Sequence, residues 1–118
     1  MENAAADDAG WIRAAALSDL PVGKPVMVEV DGTAVLLVRT DDEVFAAQNR
    51  CTHQGAPLHK GVLNLSGSVK TVTCSLHGSM FRLADGRVMR GPAITRLPIH
   101  EARVVDDQVE VRLAAGRR

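Results

Sequence analysis

Between Pro25 and Gln48 apolar positions recur with a period of two. Val26, Val28 and Val30 alternate with Met27 and Glu29, a spacing that places every second side chain on one face of a strand. Asp31-Gly32 follows, a dipeptide suited to a tight hairpin turn, and Thr33–Arg39 reads as the return strand. Asp41-Asp42 marks another turn and Val44–Gln48 another strand. Further on, Gly61–Leu63 and Val69–Thr73 read as short strands around Ser66-Gly67. Met80–Leu83 and Arg87–Met89 flank Asp85-Gly86. Leu97–Val105 and Gln108–Leu113 flank Asp106-Asp107, with Val109, Val111 and Leu113 on one face. Trp11–Ala16 could be helix by its alanines, but it is brief and runs into the turn-like Leu17–Pro21. It is therefore read as a strand, with Trp11 as a core or edge anchor. Many short strands separated by turns predict an all-β fold, an antiparallel sandwich or barrel. Residues 1–9 carry no periodic pattern and are expected to fray. Ala114–Arg118 reads as a short polar tail. There is no internal repeat.

A chain of 118 residues fits one domain, here 1–118, able to bury roughly two-thirds of its unfolded surface. Fourteen Lys and Arg balance fourteen Asp and Glu, so no overall basic excess draws in nucleic acid. Trp11, Phe45 and Phe81 are too few for a base-stacking platform. No apolar run approaches the ~20 residues of a membrane span. Glu2, Asp7 and Asp8 are unlike the basic start of a secretory signal. A cytoplasmic location without membrane contact is the expectation, and two cysteines kept as thiols fit a reducing compartment.

Those cysteines carry the chemistry. Cys51-Thr52-His53 reads C-x-H; after the twenty residues 54–73, Cys74-Ser75-Leu76-His77 reads C-x2-H. Each pair lies among turn formers, Gln54-Gly55-Ala56-Pro57 and Gly78-Ser79. Two such loops side by side would offer two thiolates and two imidazoles. Three outcomes are open: a [2Fe–2S] cluster, a tetrahedral zinc site, or inert buried cysteines with incidental histidines. Zinc sites commonly pair like residues, C-x2-4-C with H-x3-5-H, whereas here each segment mixes one of each. The central inference is a [2Fe–2S] cluster with Cys51 and Cys74 on one iron and His53 and His77 on the other. Imidazole is neutral where thiolate is anionic, so such a site accepts an electron more readily than an all-cysteine one. Glycines at 55 and 78 would let the backbone turn and point N–H groups at the sulfurs. His59 and His100 lack ligand-like companions and read as structural. Arg50, Lys60, Arg82 and Arg90 read as solvated, a few of them able to steer a redox partner.

Cys51–Leu58 and Cys74–Phe81 resemble the two cluster-binding loops of the Rieske family, and Gly91-Pro92-Ala93 resembles its proline-containing cover loop. The likeness runs from about Trp11 to Val111. The nearest type is the soluble Rieske ferredoxin of ring-hydroxylating dioxygenases; the small subunit of assimilatory nitrite reductase has a related layout. The resemblance implies a β scaffold built from both chain ends, carrying a cluster-binding subdomain of about residues 49–89. It implies cluster ligation by Cys51, His53, Cys74 and His77, with Gly55, Gly78, Ser79 and Pro92 around them. Ser79 matches a hydroxyl that bonds a bridging sulfide. The segment between the pairs is a few residues longer than usual, with the surplus around Asn64–Ser68. The positions that form a disulfide in respiratory members are Ala56 and Leu76, and their tyrosine is Phe81. Fewer donors to the cluster imply a potential low in the family's range, about −150 mV rather than about +300 mV.

With His53 and His77 assigned, only His59 and His100 remain, and 118 residues leave no room for the domain that carries the mononuclear iron triad of an oxygenase. A one-electron carrier rather than an enzyme is expected. Its donor would be a flavin-containing NAD(P)H reductase and its acceptor a terminal oxygenase or other reductase, met through His53, His77, Leu76 and Pro92. The alternatives are a fixed subunit of a nitrite reductase-like complex and a zinc-binding interaction module.

Overall fold

In the computed structural model, residues 9–115 are described; the expected fraying of 1–8 and the last residues of the tail lie outside them. Ten strands follow in chain order: β1 Trp11–Ala16, β2 Pro25–Val30, β3 Thr33–Arg39, β4 Val44–Gln48, β5 Val62–Asn64, β6 Thr71–Thr73, β7 Met80–Arg82, β8 Val88–Arg90, β9 Ile99–Val105 and β10 Gln108–Arg112. Single 3-10 turns at Leu17–Asp19 and Leu58–Lys60 are the helical elements among the described residues.

Two antiparallel sheets result. Six strands in the order β1-β10-β9-β4-β3-β2 form the larger one, and its edge strands β1 and β2 approach each other, so the sheet nearly closes into a barrel. Four strands in the order β5-β6-β7-β8 form the smaller one. Both chain ends build the larger sheet, because β10 pairs with β1 and β9 joins β4 through Ala46↔His100 and Ala47↔Ile99. The Asp106-Asp107 turn has both residues in the left-handed region, φ 51° and 64°. Such a two-residue turn matches the twist of the strands it joins, and aspartate tolerates the conformation.

The run Thr33–Arg39 is apolar without alternation for a reason the packing shows. Val35 and Leu37 enter a core inside the barrel with Leu20, Val30, Ala46, Val109 and Val111. Leu36 and Val38, on the opposite face, enter a second core with Leu58, Val72, Phe81, Leu83, Ala93, Leu97 and both cysteines. β4 divides likewise, Ala46 to the first core and Ala47 to the second. β3 and β4 are therefore a wall with both faces covered, and the smaller sheet leans on its outer face. Burying an aliphatic or aromatic side chain in this way contributes ~1.5–3 kcal/mol.

Strand ends differ from the sequence expectation by a residue or two. β6 begins at Thr71 rather than Val69, because the Lys70 ammonium folds back to the carbonyls of Leu65 (3.1 Å) and Gly67 (2.7 Å). β9 begins at Ile99 rather than Leu97, whose N–H is drawn to Gly86 O (2.9 Å) in the β7–β8 turn. Arg82 is not simply solvated: its Nε donates to Asp85 Oδ1 at 3.0 Å and its other arm meets Oδ2. Arg82 first, and then the backbone N–H of Arg87, hold the Asp85 carboxyl well below the usual carboxylate range. This contribution is present above the unfolded pKa near 4 and is lost as pH falls through the lower folded value.

Two outcomes test this packing. Leu36→Ala should lower unfolding stability by about 2–5 kcal/mol in denaturant titration, with the cluster lost in the same transition as the fold. Asp85→Asn should flatten the acid limb of stability below about pH 4 while leaving neutral-pH stability less changed than Leu36→Ala does.

Candidate metal centre

The two loops singled out in the sequence close with the same hydrogen bonds. In the first, Cys51 N–H donates to Ala56 O (2.9 Å) and Gly55 N–H donates to Cys51 O (2.8 Å). In the second, Cys74 N–H donates to Ser79 O (2.7 Å) and Gly78 N–H donates to Cys74 O (3.1 Å). Each is a short loop whose last turn needs a left-handed residue, and Gly55 and Gly78 supply it with φ 79° and 83°. The glycine N–H groups thus close the loops. The groups aimed at sulfur are the backbone N–H of His53 and of Gln54, which bond the Cys51 thiol.

Within matching frames the histidines sit at different stations, two residues after Cys51 and three after Cys74. Both nevertheless arrive at one place. The imidazole rings lie edge to face, centroids 5.3 Å apart at 74°; His53 is half-buried and His77 exposed. The cysteines face the other way. Both are free thiols buried in the second core, close enough to hydrogen-bond each other. Burial pushes the Cys51 thiol up, the His53 N–H pulls it down, the Cys74 thiol raises it again, and the Gln54 N–H opposes. Two thiolates in this position require a positively charged companion.

The segment after β8 hangs between the loops. Thr52 Oγ1 donates to Thr95 O (2.6 Å), and Ala93 N–H donates to the buried Ser79 Oγ (2.9 Å). Ser79 thereby accepts from the segment and keeps its own hydrogen to donate. Arg90 Nε donates to Gly78 O (3.2 Å), so this arginine braces the second loop rather than being merely solvated. Pro92 itself is exposed, with buried Ala93 beside it.

Sequence reasoning missed the clamp beneath the first loop. Asn49, buried, accepts the His59 backbone N–H at its Oδ1 (2.7 Å), and its Nδ2 meets His59 Nδ1 (2.8 Å). Gln48 Nε2 donates to Arg50 O (3.0 Å). The available signal was two adjacent amides at the end of a buried strand, immediately before Cys51. His59 thus has the structural place expected of it. His100, buried in β9, accepts the Ala114 N–H at Nδ1 (2.9 Å).

The donors form two pairs rather than one quartet: among the described residues, no three His, Cys, Asp or Glu side chains gather as one metal ion requires. Two buried thiols and two imidazoles so placed could hold a binuclear iron–sulfur group, which would supply one-electron exchange there. The family model of the Rieske [2Fe-2S] domain matches residues 10–101. The chain belongs to the Rieske [2Fe-2S] family. Its cofactor is accordingly a [2Fe–2S] cluster, and the antiparallel β architecture is that of the Rieske fold.

Among Rieske relatives, the ferredoxin component of the naphthalene 1,2-dioxygenase/salicylate 5-hydroxylase systems of Ralstonia sp is 28% identical over 103 residues, 87% of this chain and 95% of that protein. The ferredoxin of carbazole 1,9a-dioxygenase from Nocardioides aromaticivorans IC177 superposes with a TM-score of 0.82 at 28% identity, covering 90% of this chain and all of that one. A chain from the complex of reduced oxygenase and oxidized ferredoxin in carbazole 1,9a-dioxygenase gives 0.77 at 27%, covering 87% and 93%. A Mycobacterium tuberculosis protein described as an NADH-dependent nitrite reductase small subunit gives 0.78 at 30%, covering 89% and 96%.

Ser79→Ala orphans the buried Ala93 N–H. It should cost about 1–3 kcal/mol in denaturant titration; if the free Ser79 hydrogen donates to the cluster, as the family resemblance implies, the reduction potential should fall as well. Gly78→Ala has open space for its methyl group but keeps φ at 83°. Its cost should be about 1–2 kcal/mol from backbone alone, measured in the same titration.

Proposed function

We propose that Cys51 and Cys74 hold one iron of the cluster and His53 and His77 the other, and that the protein is a one-electron carrier. The bound cluster supplies reversible one-electron exchange. The observation that carries this reading is the polarity of the site: sulfurs inward in the core, imidazoles together at the surface. Cys51 and Cys74 keep their end of the site in a low-dielectric surround. His53 and His77 offer an exposed edge where a partner can approach. Gly55 and Gly78 set the loop turns, Ser79 has a hydrogen free to donate toward the site, and Pro92 is the surface of the segment bound to both loops. The unit extends over 1–118, with about 49–89 as its cluster-binding part.

The docking face proposed on His53, His77, Leu76 and Pro92 gains two residues from the structure. Ile94 is 94% exposed, Leu76 53% and Met89 45%. Apolar side chains on loops beside a redox group suit a small, transient interface. The electron donor proposed is a flavin-containing NAD(P)H reductase and the acceptor a terminal oxygenase, in the cytoplasm. Similarity to ferredoxin components of dioxygenase systems supports this, and no helix of the described residues is long and apolar enough to cross a membrane. A second reading, the small subunit of a nitrite reductase-like complex, is favoured by the comparable similarity to such a subunit. A zinc module is disfavoured by the two-pair geometry.

Anaerobically purified protein should contain iron and acid-labile sulfide, and its reduced form should show histidine-nitrogen coupling in EPR. His77→Ala should lose or alter this chromophore; an unchanged spectrum would remove His77 from the ligand set. Protein-film voltammetry should place the potential near about −150 mV, and a clearly positive value would refute the low-donor reading. Leu76→Asp and Ile94→Asp should slow electron delivery to a purified partner while leaving the potential unmoved.

A further inference from the structure

The net charge of zero conceals a separation. Between Arg50 and Pro98 stand seven Lys and Arg and a single acid, Asp85; in the rest of the chain seven face thirteen Asp and Glu. Asp85 is itself engaged by Arg82. The half of the chain that builds the cluster site is thus strongly basic and the scaffold acidic. Arg50, Lys60, Arg87, Arg90 and Arg96 are exposed, so the charge faces solvent.

Part of it borders the site directly. A cleft of about 490 Å³ opens beside the first ligand loop, walled by Cys51–Gly55 on one side and Thr95, Arg96 and Pro98 on the other. Arg50 lines it too, its guanidinium lying over Gly55. Among the described residues, neither Arg50 nor Arg96 has a carboxylate within ion-pair distance. Arg96 acts on Asp85 only beyond contact range, and two guanidiniums outside any ion pair on one cleft match the planar geometry of carboxylates. The surrounding excess charge would act beyond contact range by steering encounter.

Taking the protein as an electron carrier, as proposed above, we propose that this cleft and the basic surface around it dock an acidic protein surface. A carboxylate-bearing segment of the redox partner enters between Arg50 and Arg96. The acidic scaffold turns the molecule cluster-first toward that partner.

Two measurements decide it, one without redox chemistry. In calorimetric titration, poly-L-glutamate should bind, and binding should weaken with salt. Arg50→Glu/Arg96→Glu should weaken it about tenfold or more, whereas Lys24→Glu, an equal change per site on the scaffold, should leave it within about twofold. Equal effects of the two variants, or no binding, would overturn the proposal; so would tighter binding of a duplex oligonucleotide than of poly-L-glutamate. Should Arg50→Glu disturb the loop, Arg96→Glu alone carries the comparison. In stopped flow, the dithionite-reduced protein should be oxidised by anionic hexacyanoferrate(III) at a rate that falls with ionic strength. The rate with cationic tris(phenanthroline)cobalt(III) should rise. Salt-independent rates with both reagents would overturn the basic face while leaving the carrier reading intact. Failure of either reagent to reoxidise the protein would sink the carrier reading, and the poly-L-glutamate titration would then decide the face by itself.

Discussion

The structure depends on a demand that its two ligand loops meet together: a pair of sulfurs must sit in a dry core while a pair of imidazoles from the same loops lies toward the surface. Neither loop can do this alone. The bonds that close each loop, from the cysteine N–H and the glycine N–H, hold Cys51 and Cys74 by their backbones. The side chains then point in opposite senses, thiols into the packing with Phe81, Leu58 and Val72, rings outward. Loops that were merely flexible would lose conformational freedom on taking up the cluster. These two are already braced, by Asn49 and Gln48 below and by the segment 93–95 above.

That bracing explains why the scaffold needs a wall with two wet-free faces. β3 and β4 send alternate residues into two cores, and the second core is the one containing the cysteines. A cavity opened at Leu36 or Val38 would therefore lie in the same packed unit as the thiols. The barrel core serves the other face, inside the sheet that nearly closes where its edge strands β1 and β2 approach. Site and scaffold are in this sense one packing problem, solved on two sides of the same pair of strands.

Charge follows the same division. The residues that turn and pack around the cluster are rich in Lys and Arg, and the residues of the scaffold in Asp and Glu. Aspartates at hairpin turns such as Asp31 and Asp106-Asp107 have a backbone role in left-handed positions. The scaffold's acidity thus arises partly from turn chemistry. No comparable backbone reason applies to Arg50 or Arg96.

Much was legible in the chain because it is local. Alternation, two-residue turns and the paired C-x-H and C-x2-H segments are short-range patterns, and each specifies a strand, a hairpin or a ligand loop by itself. Glycine at 55 and 78 was readable for the same reason. Only the tertiary structure decided how different spacings, two residues to His53 and three to His77, bring the rings to one place. The answer lies in how the loops face each other across the second core. Asn49 beneath His59, Ser79 accepting from Ala93, and Thr52 reaching Thr95 are contacts between distant segments, and no periodicity announces them. The same holds for the cleft at Arg50 and Arg96: forty-six positions separate them along the chain, and they become neighbours because the segment after β8 folds back over the first loop.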